Sequence, residues 1–145
     1  MKRSLSMTVN GRAVRLEVEP HRTLLDVLRN DLDFLGVREG CSTGECGACT
    51  VLLGDKAVVA CLILAPDADG ARVTTIEGLA KGTALDPLQE SFIKHGAIQC
   101  GYCTPGMIMA AKGAEVLEGN FCRCTGYAKI QEAIREYRRA ANPQA

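Results

Sequence analysis

Nine residues, C-S-T-G-E-C-G-A-C at positions 41–49, carry three cysteines, and a fourth, Cys61, follows on what reads as the next strand but one. The spacing, C-x4-C-x2-C and then C-x11-C, is one by which four thiolates hold a 2Fe-2S cluster, two irons sharing four protein ligands. This stretch constrains the fold more than any other, because three ligands drawn from so short a loop leave its backbone little freedom. Gly40, Gly44 and Gly47 meet that demand: glycine adopts backbone angles closed to other residues and lets main-chain N–H groups approach sulfur. A structural zinc site usually takes its ligands from two short pairs. The distant Cys61 therefore favours iron and sulfide over the alternatives, zinc or buried free thiols.

Eight cysteines in 145 residues would suit a secreted disulfide framework, but the opening M-K-R-S-L-S-M-T-V-N-G lacks the apolar run of a signal peptide. The expected setting is cytoplasmic, with thiols kept reduced and available to metal. Lys plus Arg equals Asp plus Glu at 17 each, so no basic field exists to hold nucleic acid. No apolar stretch approaches the roughly 20 residues that span a membrane. With no Trp, three Phe and three Tyr, large core anchors are few. Metal ligation is expected to supply part of the folding free energy, in two small metal-stapled domains.

Residues 5–9 and 13–18 alternate apolar and polar on either side of Asn10 and Gly11, the strongest short signal for a hairpin turn. Pro20 ends the second strand. Thr23 then stands at a helix N-cap with Asp26 as its capping-box partner, and Leu24, Val27, Leu28 and Leu32 follow at helical spacing. After the cysteine loop, residues 50–53 and 57–64 read as strands around a turn at Gly54 and Asp55, and residues 72–76 as one more. His21 and Glu45 read as an exposed loop histidine and a solvated carboxylate, without a role.

Residues 77–84 read as a connector, after which the period changes from two to about three and a half. Asp86 is expected to cap a helix with Pro87 at its first position, Gln89 closing the box, and Leu88 and Phe92 on its buried side. In Q-C-G-Y-C-T-P-G-M, Cys100 and Cys103 form a C-x2-C pair before a second helix, with Thr104 as its N-cap and Met107, Ile108 and Ala111 turned inward. In N-F-C-R-C-T-G-Y, Cys122 and Cys124 precede a last helix, capped by Thr125 and striped by Tyr127, Ile130, Ile134 and Tyr137. Both pairs would then stand at helix N-termini, which stabilise negative charge. By spacing alone, zinc is a serious rival to iron here.

A hairpin, a crossing helix and later strands around a C-x4-C-x2-C loop resemble the β-grasp fold of plant-type ferredoxins, over roughly residues 1–76. Together with Q-C-G-Y-C-T-P-G-M and C-R-C-T-G-Y, the chain resembles the small iron-sulfur subunit of the molybdenum hydroxylases, the xanthine dehydrogenase and aldehyde oxidoreductase family. The resemblance runs from Val9 to about Tyr137. It implies an α+β chain: a β-grasp domain (residues 1–76), a linker (77–84) and a small helical-bundle domain (85–145). It implies two 2Fe-2S clusters, one on Cys41, Cys46, Cys49 and Cys61 and one on Cys100, Cys103, Cys122 and Cys124. Gln99 and Cys124 would lie near the molybdopterin of a separate large subunit. One departure is the connection between Cys103 and Cys122, whose 18 residues are fewer than the family's. The loop still closes: a helix over residues 104–112 rises about 13 Å, and residues 113–120, extended, return about 26 Å.

The function so implied is electron transfer within an oxidoreductase complex. Single electrons would pass from the molybdenum centre through both clusters to a flavin on a medium FAD-binding subunit or to another acceptor, in a hetero-oligomer such as a dimer of heterotrimers. This chain itself shows no catalytic residue, no G-x-G-x-x-G after a strand and no paired carboxylates in a catalytic setting. Two rivals are a free-standing ferredoxin-like carrier and a structural protein with two zinc sites. Balanced charge disfavours the first, since such carriers often dock through a charged face.

Overall fold

A computed structural model describes residues 1–114 and 118–143. Strands β1 (Arg3–Val9) and β2 (Arg12–Val18) pair antiparallel from Arg3↔Val18 to Val9↔Arg12. The expected turn between them has Asn10 at φ 50° and Gly11 at φ 80°, the left-handed pair that matches strand twist. Leu5, Met7 and Val9 alternate into the core.

Thr23 caps α1 (Leu24–Asp26), with both bonds of the capping box formed to Asp26. A regular helix was expected to continue. Instead it widens at once into a π-helical segment, Val27–Asp31, closed by the Leu32 N–H on the Val27 carbonyl (3.2 Å). Leu24, Leu25, Val27 and Leu28 are all buried beneath the sheet.

Strands β3 (Thr50–Leu53) and β4 (Lys56–Val59) form the second hairpin. The expected strand over residues 57–64 ends early, at Val59, and Cys61 sits in a 3-10 turn, Ala60–Leu62. The reason is hydrogen bonding. Beyond Cys61 the backbone serves α1, with Leu24 N–H on the Ile63 carbonyl (2.7 Å) and Ala65 N–H on the Arg22 carbonyl (2.8 Å). Strand β5 (Arg72–Thr74) runs parallel to β1 and antiparallel to β3, giving the order β2-β1-β5-β3-β4. Ile76, expected at its end, belongs to another 3-10 turn, Ile76–Gly78.

The described residues of the second half hold three helices, α2 (Pro87–Lys94), α3 (Thr104–Gly113) and α4 (Ala128–Ala141). Asp86 caps α2 as expected, with Gln89 closing the box. Two other expected caps are displaced. Cys103, not Thr104, occupies the α3 cap, and α4 begins at Ala128 behind Tyr127, whose φ is 71°, so Thr125 lies two residues too early to cap it. Cys122 and Cys124 are thus in a loop before α4 and not at its first turn. The return of residues 113–120 falls partly on residues 115–117, outside the described residues.

Two apolar cores result. One gathers Leu5, Val9, Leu24, Leu28, Val51 and Val73 between sheet and α1; the other gathers Leu88, Phe92, Met107, Ile108, Ile130 and Ile134 among the helices. The whole is an α+β molecule, a β-grasp ferredoxin-like half followed by a helical half. Helix α3 packs on β3 and β4 so closely that a Cβ on Gly113 would stand 2.6 Å from the Ala57 nitrogen.

Candidate metal centres

All eight cysteines are free thiols, and the topology gathers them into two groups. In the first, the loop between α1 and β3 wraps its own N–H groups around sulfur. Thr43 and Cys46 N–H both donate to Cys41 Sγ (3.4 Å), and Ala48 N–H donates to Cys46 Sγ (3.5 Å). Such a turn needs left-handed backbone, which Gly44 (φ +84°) and Gly47 (φ +71°) supply. Gly40 serves differently, because a Cβ there would lie 2.7 Å from Cys46 Sγ.

Charge follows this geometry. The Thr43 side chain and the N–H groups of Cys46, Thr43 and Glu45 pull the Cys41 thiol down to about 6. Burial pushes Cys49 up to about 12, with the Cys61 and Cys46 sulfurs adding to it. Cys49 and Cys61 are 2% and 7% exposed. A thiolate buried beside other sulfurs forms only against a compensating cation, so this donor set fits a metal cluster.

In the second group the thiols meet in twos. Cys100 contacts Cys124, both exposed, and Cys103 contacts Cys122, which is 8% exposed. Burial pushes Cys103 up to about 12, and the adjacent Cys122 adds to it. Burial also raises Cys122, but the Thr125 hydroxyl (3.0 Å) and N–H (3.4 Å) outweigh it and leave that thiol below its ordinary value. Thr125, expected as a cap, thus donates to sulfur. Gln99 lies in an exposed bend beside Cys100. Among the described residues no three His, Cys, Asp or Glu side chains gather as a site for one metal ion; a binuclear cluster asks only two thiolates of each iron.

One thiol of the first group, Cys46, faces the second. A cavity of about 200 Å³ is lined by Cys46 from the first and by Cys100, Cys103 and Cys122 from the second, with Tyr102 and Arg123 beside them. Its walls are joined by residues that sequence reasoning missed. Phe121 N–H donates to the Cys46 carbonyl (2.9 Å), Asn120 Nδ2 to the Gly47 carbonyl (3.1 Å) and Arg38 to the Gly101 carbonyl (2.7 Å). No periodicity marks these residues, since their partners lie 63 to 73 positions away for Arg38 and Asn120.

Known proteins resemble the chain along its length. A model of a 2Fe-2S iron-sulfur cluster binding domain matches residues 7–80, and one of a 2Fe-2S binding domain matches residues 75–115. The nicotinate dehydrogenase small FeS subunit of Eubacterium barkeri is 44% identical over 147 residues, covering 92% of this chain and 94% of the relative. The nicotine 6-hydroxylase small subunit of Paenarthrobacter nicotinovorans is 45% identical over 143 residues, covering 90% and 86%. The crystal structure of quinoline 2-oxidoreductase from Pseudomonas putida 86 superposes with a TM-score of 0.90 at 38% identity over 99% of each chain. With two cysteine groups on a β-grasp half and a helical half, and relatives of this kind along its length, the chain belongs to the small 2Fe-2S iron-sulfur subunits of the molybdenum hydroxylases, oxidoreductases that include the xanthine dehydrogenases and aldehyde oxidoreductases.

Proposed function

We propose that this chain holds two 2Fe-2S clusters and relays single electrons from a molybdopterin centre on a large partner subunit to a flavin on a medium FAD-binding subunit. Cys41, Cys46, Cys49 and Cys61 would hold one cluster, and Cys100, Cys103, Cys122 and Cys124 the other. The observation that carries the reading is that Cys46 of the first set and Cys100, Cys103 and Cys122 of the second line one cavity. Such a cluster, when bound, takes up and returns one electron at a time, with its potential set by hydrogen bonds to sulfur and by burial. The chain's own residues supply those terms: Thr43, Cys46 and Ala48 N–H groups in the first set, and the Thr125 hydroxyl in the second. Gln99 and Cys124, both exposed, are assigned to the pterin-facing surface. We assign residues 1–76 and 85–145 to two domains and 77–84 to the linker; the separate cores support two domains, with Ile76 and Leu79 packed against the helical one. A cytoplasmic complex accords with eight free thiols; among the described residues no helix is long and apolar enough to cross a membrane.

The test is metal and cofactor analysis of the native complex with identification of its subunits. About four irons per chain are expected, with molybdenum and flavin on copurifying subunits. Zinc in place of iron would overturn the cluster assignment. A chain isolated alone at native levels, with iron but no molybdenum-bearing partner, would instead make it a free-standing carrier.

A further inference from the structure

We propose that the hydrogen bond from the Phe121 amide to the Cys46 carbonyl (2.9 Å) is the contact by which an electron crosses between the two cysteine sets. The inference rests on the reading above that both sets hold clusters. Two seams close the space between them. At one, Phe121 N–H meets the Cys46 carbonyl and Asn120 Nδ2 meets the Gly47 carbonyl (3.1 Å). At the other, the Arg38 guanidinium donates to the Gly101 carbonyl (2.7 Å) and lies 5.3 Å from the Tyr102 ring centre, while the Tyr102 hydroxyl donates to the Glu39 carbonyl.

The seams are unequal as electronic paths. Electronic coupling decays slowly along covalent bonds, somewhat faster across a hydrogen bond, and steeply across a gap. From Cys46 Sγ the first path runs through that residue's own carbonyl, one hydrogen bond, and the Phe121 backbone directly into Cys122. Only one contact on it is not covalent. The second seam offers longer routes, from Cys41 along the chain to the Glu39 carbonyl and through the whole Tyr102 side chain to Cys103, or on to Arg38 and along its side chain to Gly101. A third approach, Gly106 on α3 against the Gly47 carbonyl, is a non-bonded contact. The Phe121 side chain is 64% exposed, so what the path requires of this residue is its amide and not its ring. With clusters bound, one electron would leave the cluster held by the set with Cys122 and enter the one held by the set with Cys46, with no bond formed or broken and no proton moved.

In the holo-complex, one electron can be injected by flash photoreduction with a deazaflavin and its redistribution between the two 2Fe-2S signals followed by rapid-freeze EPR. Phe121→Pro removes the N–H and is expected to slow redistribution by an order of magnitude, whereas Phe121→Ala keeps the N–H and the wild-type rate. Both signals, both midpoint potentials and the dipolar splitting of the fully reduced complex should stay unchanged. Equal rates in the two variants would overturn the proposal. Because proline also restricts the residue before it, a second pair of variants decides independently. Asn120→Ala, which loosens the Phe121 seam, should be several-fold slower, and Arg38→Ala should match wild type. The reverse pattern would move the crossing to the Arg38 seam and overturn the proposal. Absence of two 2Fe-2S signals in the wild type would instead overturn the cluster reading beneath it.

Discussion

A Cβ added at Gly106 would stand 2.2 Å from the Gly47 carbonyl oxygen and 3.1 Å from Ala48 Cα, backbone atoms that no rotamer change can move aside. Gly106→Ala is therefore expected to push α3 off the first cysteine loop and to destabilise the chain by about 1–3 kcal/mol, read as a lower urea midpoint. At Gly40 the obstacle is Cys46 Sγ, so Gly40→Ala should act on that thiol's position before it acts on the fold. Lys112 presents a different single-residue case. Burial pulls its ammonium down, but the Asp86 carboxylate (2.8 Å) and the Tyr137 hydroxyl (3.1 Å) outweigh burial and hold its pKa above the ordinary 10.5. A raised lysine pKa contributes stability that is fully present below the unfolded value and is lost as pH rises through the folded one. The stability difference between wild type and Lys112→Met should accordingly be constant up to about pH 10 and shrink above it, as followed by urea unfolding across that range. A difference independent of pH would show that the pair does not matter.

At the scale of elements, α2 depends on Asp86 twice, as its N-cap and as the partner of Lys112 on α3. Asp86→Ala should cost about 1 kcal/mol for the cap alone, and more with the pair. Phe92, wholly buried in the helical core, should cost about 3–5 kcal/mol when cut to Ala. Hydrogen exchange would localise that loss: amides of α2, α3 and α4 should exchange faster, while the β1–β2 ladder keeps its protection. Local sequence rules predicted most of these elements. The Asn10–Gly11 turn and the caps at Thr23 and Asp86 appear as expected because each is settled by bonds within a few residues. The early end of strand β4 at Val59 has a distant cause: the backbone at Ile63 and Ala65 is taken up by the α1 entry at Leu24 and Arg22.

For the whole molecule, the two cysteine groups belong to different halves with different cores, so their losses should separate. Cys124→Ser is expected to disturb one of the two 2Fe-2S EPR signals and leave the other intact. Loss of both signals would contradict two independent centres. The halves are nonetheless docked through α3 on β3 and β4 and through the cavity between the thiols. Gly106, Gly113 and the Phe121 amide sit at that junction, and disturbing it should alter communication between the centres before it alters either one.

By itself the sequence determined the donor chemistry and the order of elements. Thiol spacing, hairpin turns and capping boxes act over short stretches, and their bonds close locally. Cys41, Cys46 and Cys49 with their glycines, and the paired cysteines before and after α3, were legible for that reason. Only the tertiary structure decided how the two groups meet. Arg38 against Gly101, Asn120 against Gly47 and Phe121 against Cys46 join residues more than sixty positions apart, and nothing in a local pattern records which backbone carbonyl a distant amide will find. It also decided the use of Thr125, whose hydroxyl donates to the Cys122 sulfur once α4 begins at Ala128. Spacing marks the candidate thiols, whereas docking of the two halves decides which backbone groups meet between them.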